Sequence, residues 1–163
     1  MPISFDMSFD PTTPLVSVLR RFVLSLYERI LADIDASSQL ALATHELLEN
    51  AVKFATDTTT MLQVTMEPQG PSTPEYVVTI RTRNRATQAN IQTAQTIIRR
   101  VREAADPAAL YHDMILASAA HPDGSGLGLA RIRAETDMSI DAVVENDMIE
   151  IVAQTRVRFG HPT

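Results

Sequence analysis

Thr44-His45-Glu46-Leu47-Leu48-Glu49-Asn50-Ala51-Val52-Lys53-Phe54-Ala55 decides how the rest of the chain is read. At roughly 100° of turn per residue, Glu46, Asn50 and Lys53 fall on one narrow stripe. Leu40, Ala43, Leu47, Leu48, Ala51, Phe54 and Ala55 cover a broad apolar face. The segment therefore predicts an amphipathic helix. A carboxylate, an amide and an ammonium aligned on it are either a solvated face, with pairwise contacts of roughly tenths of a kcal/mol, or the polar half of a site.

A second segment bears on that choice. His121-Pro122-Asp123-Gly124-Ser125-Gly126-Leu127-Gly128-Leu129 carries three of the five glycines, directly before a predicted helix through Arg133 and Glu135. Glycines there permit positive φ and close ligand approach, and a helix start offers free N–H groups and the positive end of a dipole. This is phosphate-binding chemistry. It is not a Walker loop, which needs Gly-Lys-Ser/Thr after four residues, nor a dinucleotide fingerprint, because no strand pattern leads straight into it.

Outward from these two segments, Ile3, Phe5, Met7 and Phe9 alternate with Ser4, Asp6 and Ser8 and predict a half-buried strand, broken by Asp10-Pro11. From about Pro14 to Ile34 the apolar residues Leu15, Val18, Leu19, Phe22, Val23, Leu26 and Ile30 recur at helical spacing. Asp35-Ala36-Ser37-Ser38 reads as a polar link whose Ser37 or Ser38 caps the next helix, and Thr56-Asp57-Thr58 ends that helix. Met61 to Met66 and Tyr76 to Arg83 read as a hairpin with a Pro-rich connection. Ile91, Ala94, Ile97, Ile98 and Val101 mark a helix ending near Ala104-Ala105-Asp106-Pro107, and a shorter helix follows from Ala108 to Ala119. Met138 to Val144 and Met148 to Phe159 are strand-like around a tight turn at Glu145-Asn146-Asp147, with Gly160 to Thr163 as a frayed tail. The order predicts an α/β two-layer (α+β) sandwich, a mixed, mainly antiparallel sheet with helices on one face, in one domain spanning 1–163.

Composition narrows the function. A chain of 163 residues with 45% hydrophobic content has room for a core. A net charge of -6 argues against nucleic-acid and anionic-membrane partners, both of which need a basic surface. The absence of cysteine removes disulfides, thiolate nucleophiles and Cys-ligated zinc. With neither a basic start followed by an apolar run nor a long apolar segment, the expected location is cytoplasmic.

Taken together, Glu46-Leu-Leu-Glu-Asn50-Ala-Val-Lys53 and Gly124-Ser-Gly126-Leu-Gly128-Leu129 resemble the GHKL (Bergerat-fold) ATP-binding domains, which include histidine kinases, Hsp90-type chaperones and anti-sigma-factor serine kinases. The element order and size are most similar to the anti-sigma-factor serine kinases, including the SiaB-type branch. The resemblance implies that Asn50 holds Mg²⁺ bridging the phosphates of ATP, that Glu46 is the general base or positions the attacking hydroxyl, and that Lys53 sits near phosphate. The backbone of Gly124, Ser125, Gly126, Leu127, Gly128 and Leu129 would wrap the triphosphate. The implied activity is serine/threonine phosphorylation of a small regulatory protein, a STAS-type antagonist or a sigma factor. A homodimer is compatible with an exposed apolar face on the first helix.

The chain departs from the family at one point. The usual Asp-x-Gly-x-Gly, whose Asp reads the adenine amino group, is missing: no glycine lies between Gly70 and Gly124 and no aspartate between Asp57 and Asp106. At the expected place, Arg81 to Thr87, Asn84 is left as a substitute adenine contact. The alternative reading is a non-catalytic relative that regulates a signalling partner by binding alone.

Other motifs fall short of their chemistry. His45-Glu46 begins like a zinc-peptidase helix, but position 49 is Glu49 rather than a second histidine. Ser125 lacks the preceding strand, and the glycine at 123, of a nucleophile elbow. His112, His121 and His161 have no metal-ligand spacing, and the seven methionines suit gap-filling in a core. Arg81, Arg83 and Arg85 read as a solvated strand edge that discourages strand addition.

Overall fold

A computed structural model describes residues 2–31, 33–57, 59–70, 74–120 and 126–158. The elements run β1 (Ile3–Phe9), α1 (Thr13–Leu31), α2 (Ile34–Phe54), β2 (Thr60–Pro68), β3 (Glu75–Arg85), α3 (Gln88–Glu103), α4 (Pro107–Ala120), α5 (Leu127–Glu135), β4 (Ser139–Glu145) and β5 (Met148–Arg158). The strands form one sheet in the order β1-β2-β3-β5-β4. All four pairings are antiparallel, so the sheet expected to be mixed contains no parallel pair among the described residues.

Period-two alternation decides which side of the sheet is covered. Phe5, Val64, Ile80, Ala153 and Ile140 lie in one row across the five strands, and all but half-buried Phe5 are buried. They belong to one apolar cluster with Leu19, Val23, Leu40, Leu47 and Leu48 from the first two helices. One residue along, Asp6, Gln63, Arg81, Val152 and Asp141 make the corresponding row of the opposite face, none of them fully buried. The two-layer arrangement with helices on one face follows from this asymmetry.

Boundaries differ from expectation where a tertiary or capping contact intervenes. α1 ends at Leu31, and Ile34 opens α2 instead of closing α1. The cap of α2 is Asp33, whose carboxylate accepts from the Ala36 N–H at 2.9 Å. It satisfies one of the orphan donors of the first turn. Ser37, one of the two expected caps, is inside the helix, donating its hydroxyl to the Asp33 carbonyl at 2.6 Å.

The arginines of β3 correct a second expectation. β3 is the central strand of the sheet, not an edge. Arg81 faces Glu150 at 3.8 Å, Arg83 faces Glu145 at 3.4 Å, and Arg85 clasps Asp147 at 2.6 Å. Solvent screening keeps such surface and half-buried pairs weak. Their placement nevertheless fastens β3 to the β4–β5 turn.

Candidate functional site

The stripe on α2 grades from buried to exposed. Glu46 is 8% exposed, Asn50 is half-buried and Lys53 is exposed, so the solvated-face reading fails at Glu46. A carboxylate so covered needs a partner, and Arg131 of α5 supplies it, its Nη1 lying 3.0 Å from Glu46 Oε1. The Arg131 Nε bonds Glu135 at 3.1 Å. The guanidinium is held above its ordinary pKa first by the hydrogen bond to Glu135, against desolvation, then by the charge of Glu135 and by Glu46.

α5 enters through Gly126, in the left-handed region at φ 96°. A side chain there would be strained, and its Cβ would lie 2.6 Å from Ile97 Cδ1. The Ala130 N–H bonds back to the Gly126 carbonyl at 3.1 Å. The N–H groups of Leu127, Gly128 and Leu129 consequently precede the helical ladder and have no acceptor within it. Gly128 is needed for a different reason: a Cβ on it would overlap Glu46 Oε2 and stand 3.3 Å from Glu46 Cδ. The backbone of α5 thus lies directly on the carboxylate of α2. Leu127 is half-buried and Leu129 is 2% exposed within the core. Gly124 and Ser125 lie outside the described residues.

A pocket connects these parts, lined by Asn50, Ala51 and Phe54 of α2, Asn84 of β3, Asn90, Thr93 and Ile97 of α3, and Gly126 and Leu129 beside Ile149 and Ile151. Residues far apart in the chain, Asn50, Asn84 and Gly126, meet here. Among the described residues, the polar side chains of the lining are amides and a hydroxyl, with no carboxylate. Asn50 donates its Nδ2 to the Glu46 carbonyl at 3.0 Å. Asn84, 4% exposed, donates its Nδ2 to the Arg85 carbonyl at 2.9 Å. The partner fixes the orientation of each amide. The Oδ1 of each accepts no hydrogen bond among the described residues. Two amides of the lining therefore present acceptors, one on half-buried Asn50 and one on Asn84, a residue 4% exposed.

Lys53 stands apart from this pocket. Its ammonium sits 5.2 Å from the centre of the Phe54 ring, a cation–π contact at an exposed position. The cavity volume is about 30 Å³, room for one or two waters. Ile97, close against Gly126, forms part of its wall.

No group of three or more His, Asp or Glu that could hold a metal ion occurs among the described residues. The chemistry of Asn50 fits a magnesium ion that arrives with phosphate, since that ion takes oxygen ligands and usually completes its shell with waters and phosphate oxygens. His45 bonds Glu49 through Nε2 at 3.1 Å, and its Nδ1 is buried without a partner among the described residues. His112 is exposed, as expected, and His121 and His161 lie outside the described residues.

Sequence reasoning missed Arg131 and the α3 wall. The i,i+4 pairing of Arg131 with Glu135 is visible in a helical register, but its bond to Glu46 spans 85 positions and leaves no local signal. Asn90 and Thr93 were hidden because α3 was read only for its apolar stripe.

The architecture is an α+β sandwich built on an open antiparallel sheet, and solved structures share it. No family model matches the chain, and no curated protein matches it. A chain in the crystal structure of the SiaB–SiaC complex from Pseudomonas aeruginosa is similar, with a TM-score of 0.62 and 13% sequence identity, over 94% of this chain and 89% of that one. At that identity the likeness is one of fold. No helix among the described residues is long and apolar enough to cross a membrane.

Proposed function

We propose that this chain is an ATP-binding regulatory protein of the anti-sigma-factor/serine-threonine kinase type, passing the γ-phosphate of ATP to a small partner protein in the cytoplasm. The observation that carries the reading is the meeting of Asn50, Asn84 and Gly126 around one pocket, with Glu46 under the first turn of α5. In this reading the N–H groups at the start of α5 receive phosphate oxygens. The Asn84 Oδ1 accepts from the exocyclic amino group of adenine, doing with an amide what the missing aspartate does with a carboxylate. Asn50 Oδ1 would hold Mg²⁺, which supplies neutralisation of the phosphate charge.

Transfer joins a serine or threonine oxygen of the partner to the γ-phosphorus and breaks the bond from that phosphorus to the bridging oxygen of ADP. Glu46 takes the hydroxyl proton. The similarity in fold to a chain of a two-protein complex supports a protein as the acceptor.

Isothermal titration with Mg-ATP tests the proposal. Binding at millimolar nucleotide or below is expected; absence of heat at that concentration sinks it. Asn50→Ala should remove the magnesium dependence of binding, whereas Glu46→Ala should retain binding and lose transfer to the partner. One observation favours the second reading, a non-catalytic regulator: the pocket encloses only about 30 Å³. Binding of a partner protein without any nucleotide effect would establish that reading.

A further inference from the structure

Glu46 and Arg131 pair across α2 and α5 at 3.0 Å, but the two ends of the pair are unequally buried, with side-chain exposures of 10% and 40%. The carboxylate is enclosed, with Oε1 on the guanidinium and Oε2 beneath the backbone of Gly128. The guanidinium is on the outside, with its Nε bonded to Glu135 at 3.1 Å. Gly128 is also the second residue of α5, in the turn whose N–H groups have no helical acceptor. One carboxylate group therefore separates Arg131 from the first turn of α5. The pocket beside that turn is also lined by Asn84, a residue only 4% exposed whose Nδ2 bonds the Arg85 carbonyl and whose Oδ1 accepts no hydrogen bond among the described residues.

We infer that Arg131 is an exchangeable phosphate ligand: without ligand it is held by Glu46, and with a polyphosphate on the first turn of α5 it transfers to the phosphate and releases the carboxylate. The inference rests on the proposed nucleotide reading for the identity of the ligand, and on the Glu46–Arg131–Gly128 contacts for the exchange. Its physical basis is competition for one cation. A polyphosphate carries more charge than a carboxylate and matches the guanidinium fork equally well. Release of Glu46 coincides with arrival of the group it would serve, so an unloaded protein keeps its carboxylate occupied. Glu135, the last residue of α5, is the second anchor of Arg131 through Nε, which leaves the Nη groups to change partner.

Calorimetric titration of Mg-ATP, and separately of inorganic triphosphate, into the wild-type protein, Arg131→Gln, Glu46→Gln and the double variant tests this. Arg131→Gln is expected to bind both probes about tenfold more weakly. Glu46→Gln, which liberates the guanidinium, is expected to bind both several-fold more tightly. In the double variant that gain disappears. If the gain persists there, it reflects removal of a negative charge and the exchange is refuted. Equal affinities in all four proteins refute it as well. Should the wild type bind triphosphate but not Mg-ATP, the nucleotide reading fails and the same order of affinities still decides the exchange. Binding of neither probe overturns both. Arg131→Lys, which keeps the charge and loses the fork, replaces Arg131→Gln if circular dichroism shows the latter unfolded, and weaker binding is again required.

Discussion

Gly128→Ala tests the contact between α5 and Glu46 most directly. The new methyl would overlap Glu46 Oε2 and approach Glu46 Cδ to 3.3 Å and Cβ to 3.4 Å. The overlapped atom ends a flexible side chain, so relief by rotation is available, but that rotation breaks the 3.0 Å bond to Arg131. A hydrogen bond to a charged group contributes about 1.5–3 kcal/mol. Because the Arg131 side chain is 40% exposed, solvent screening reduces the loss to about 1–2 kcal/mol. Against it stands the gain of alanine over glycine within a helix, roughly 0.5–1 kcal/mol. The net expectation is destabilisation of about 0.5–1 kcal/mol, a fall in Tm of about 1–4 °C. The decisive measurement is the same substitution in a Glu46→Ala background, followed by urea denaturation. With the carboxylate gone, only the helical gain remains and the sign should reverse. Destabilisation of equal size in both backgrounds would refute the contact as the cause.

Two other perturbations follow from buried polar groups. Tyr27 is fully buried, with its hydroxyl 3.2 Å from Thr44 Oγ1, and burial pushes its phenol well above the ordinary value of about 10, the Thr44 hydrogen bond opposing only part of the rise. Below pH ~10 the phenol is protonated in both states; above it the unfolded chain loses the proton first, so stability falls as pH rises from there. Denaturation midpoints across pH 9–11 should decline more in the wild type than in Tyr27→Phe, and equal slopes would contradict this. Asn84→Asp replaces the donor facing the Arg85 carbonyl, now bonded at 2.9 Å, with a second acceptor. A loss of about 1–3 kcal/mol in chemical denaturation is expected; unchanged stability would show that the amide orientation is wrong.

The parts of this fold written in short-range pattern were legible. Strict alternation fixed β1 at Ile3–Phe9, and helical periodicity found α2, the element bearing Glu46 and Asn50. Three glycines in five residues marked the entrance of α5, where Gly126 does adopt positive φ. Features set by long-range pairing were not legible. The central position of β3 depends on β5 returning beside it, and nothing in Arg81, Arg83 or Arg85 distinguishes an edge from a centre. Asp33 was passed over as a cap because Ile34 extended the apolar series of α1. The burial of Glu46 needed Gly128 and Arg131, which the fold brings to it from another helix.

The peptide of Arg85 has a consequence for how the pocket can open. Its carbonyl accepts from the Asn84 side chain at 2.9 Å and from the Thr56 N–H, just beyond α2, at 3.0 Å. The next N–H, of Ala86, bonds the Asp147 carbonyl in the β4–β5 turn at 2.9 Å. Three separate parts of the chain are thus stitched together at one end of the pocket. The opposite wall is α3, held near its ends by Gln88 on the Asn146 carbonyl and by Arg102 on Asp141, with the apolar contact of Ile97 and Gly126 between them. Hydrogen bonds resist displacement by angle and distance, whereas apolar contacts permit sliding and rotamer exchange. The amide acceptor of Asn84 is therefore held on a fixed frame, and the Ile97–Gly126 contact is the part of the wall that side-chain rotation can change.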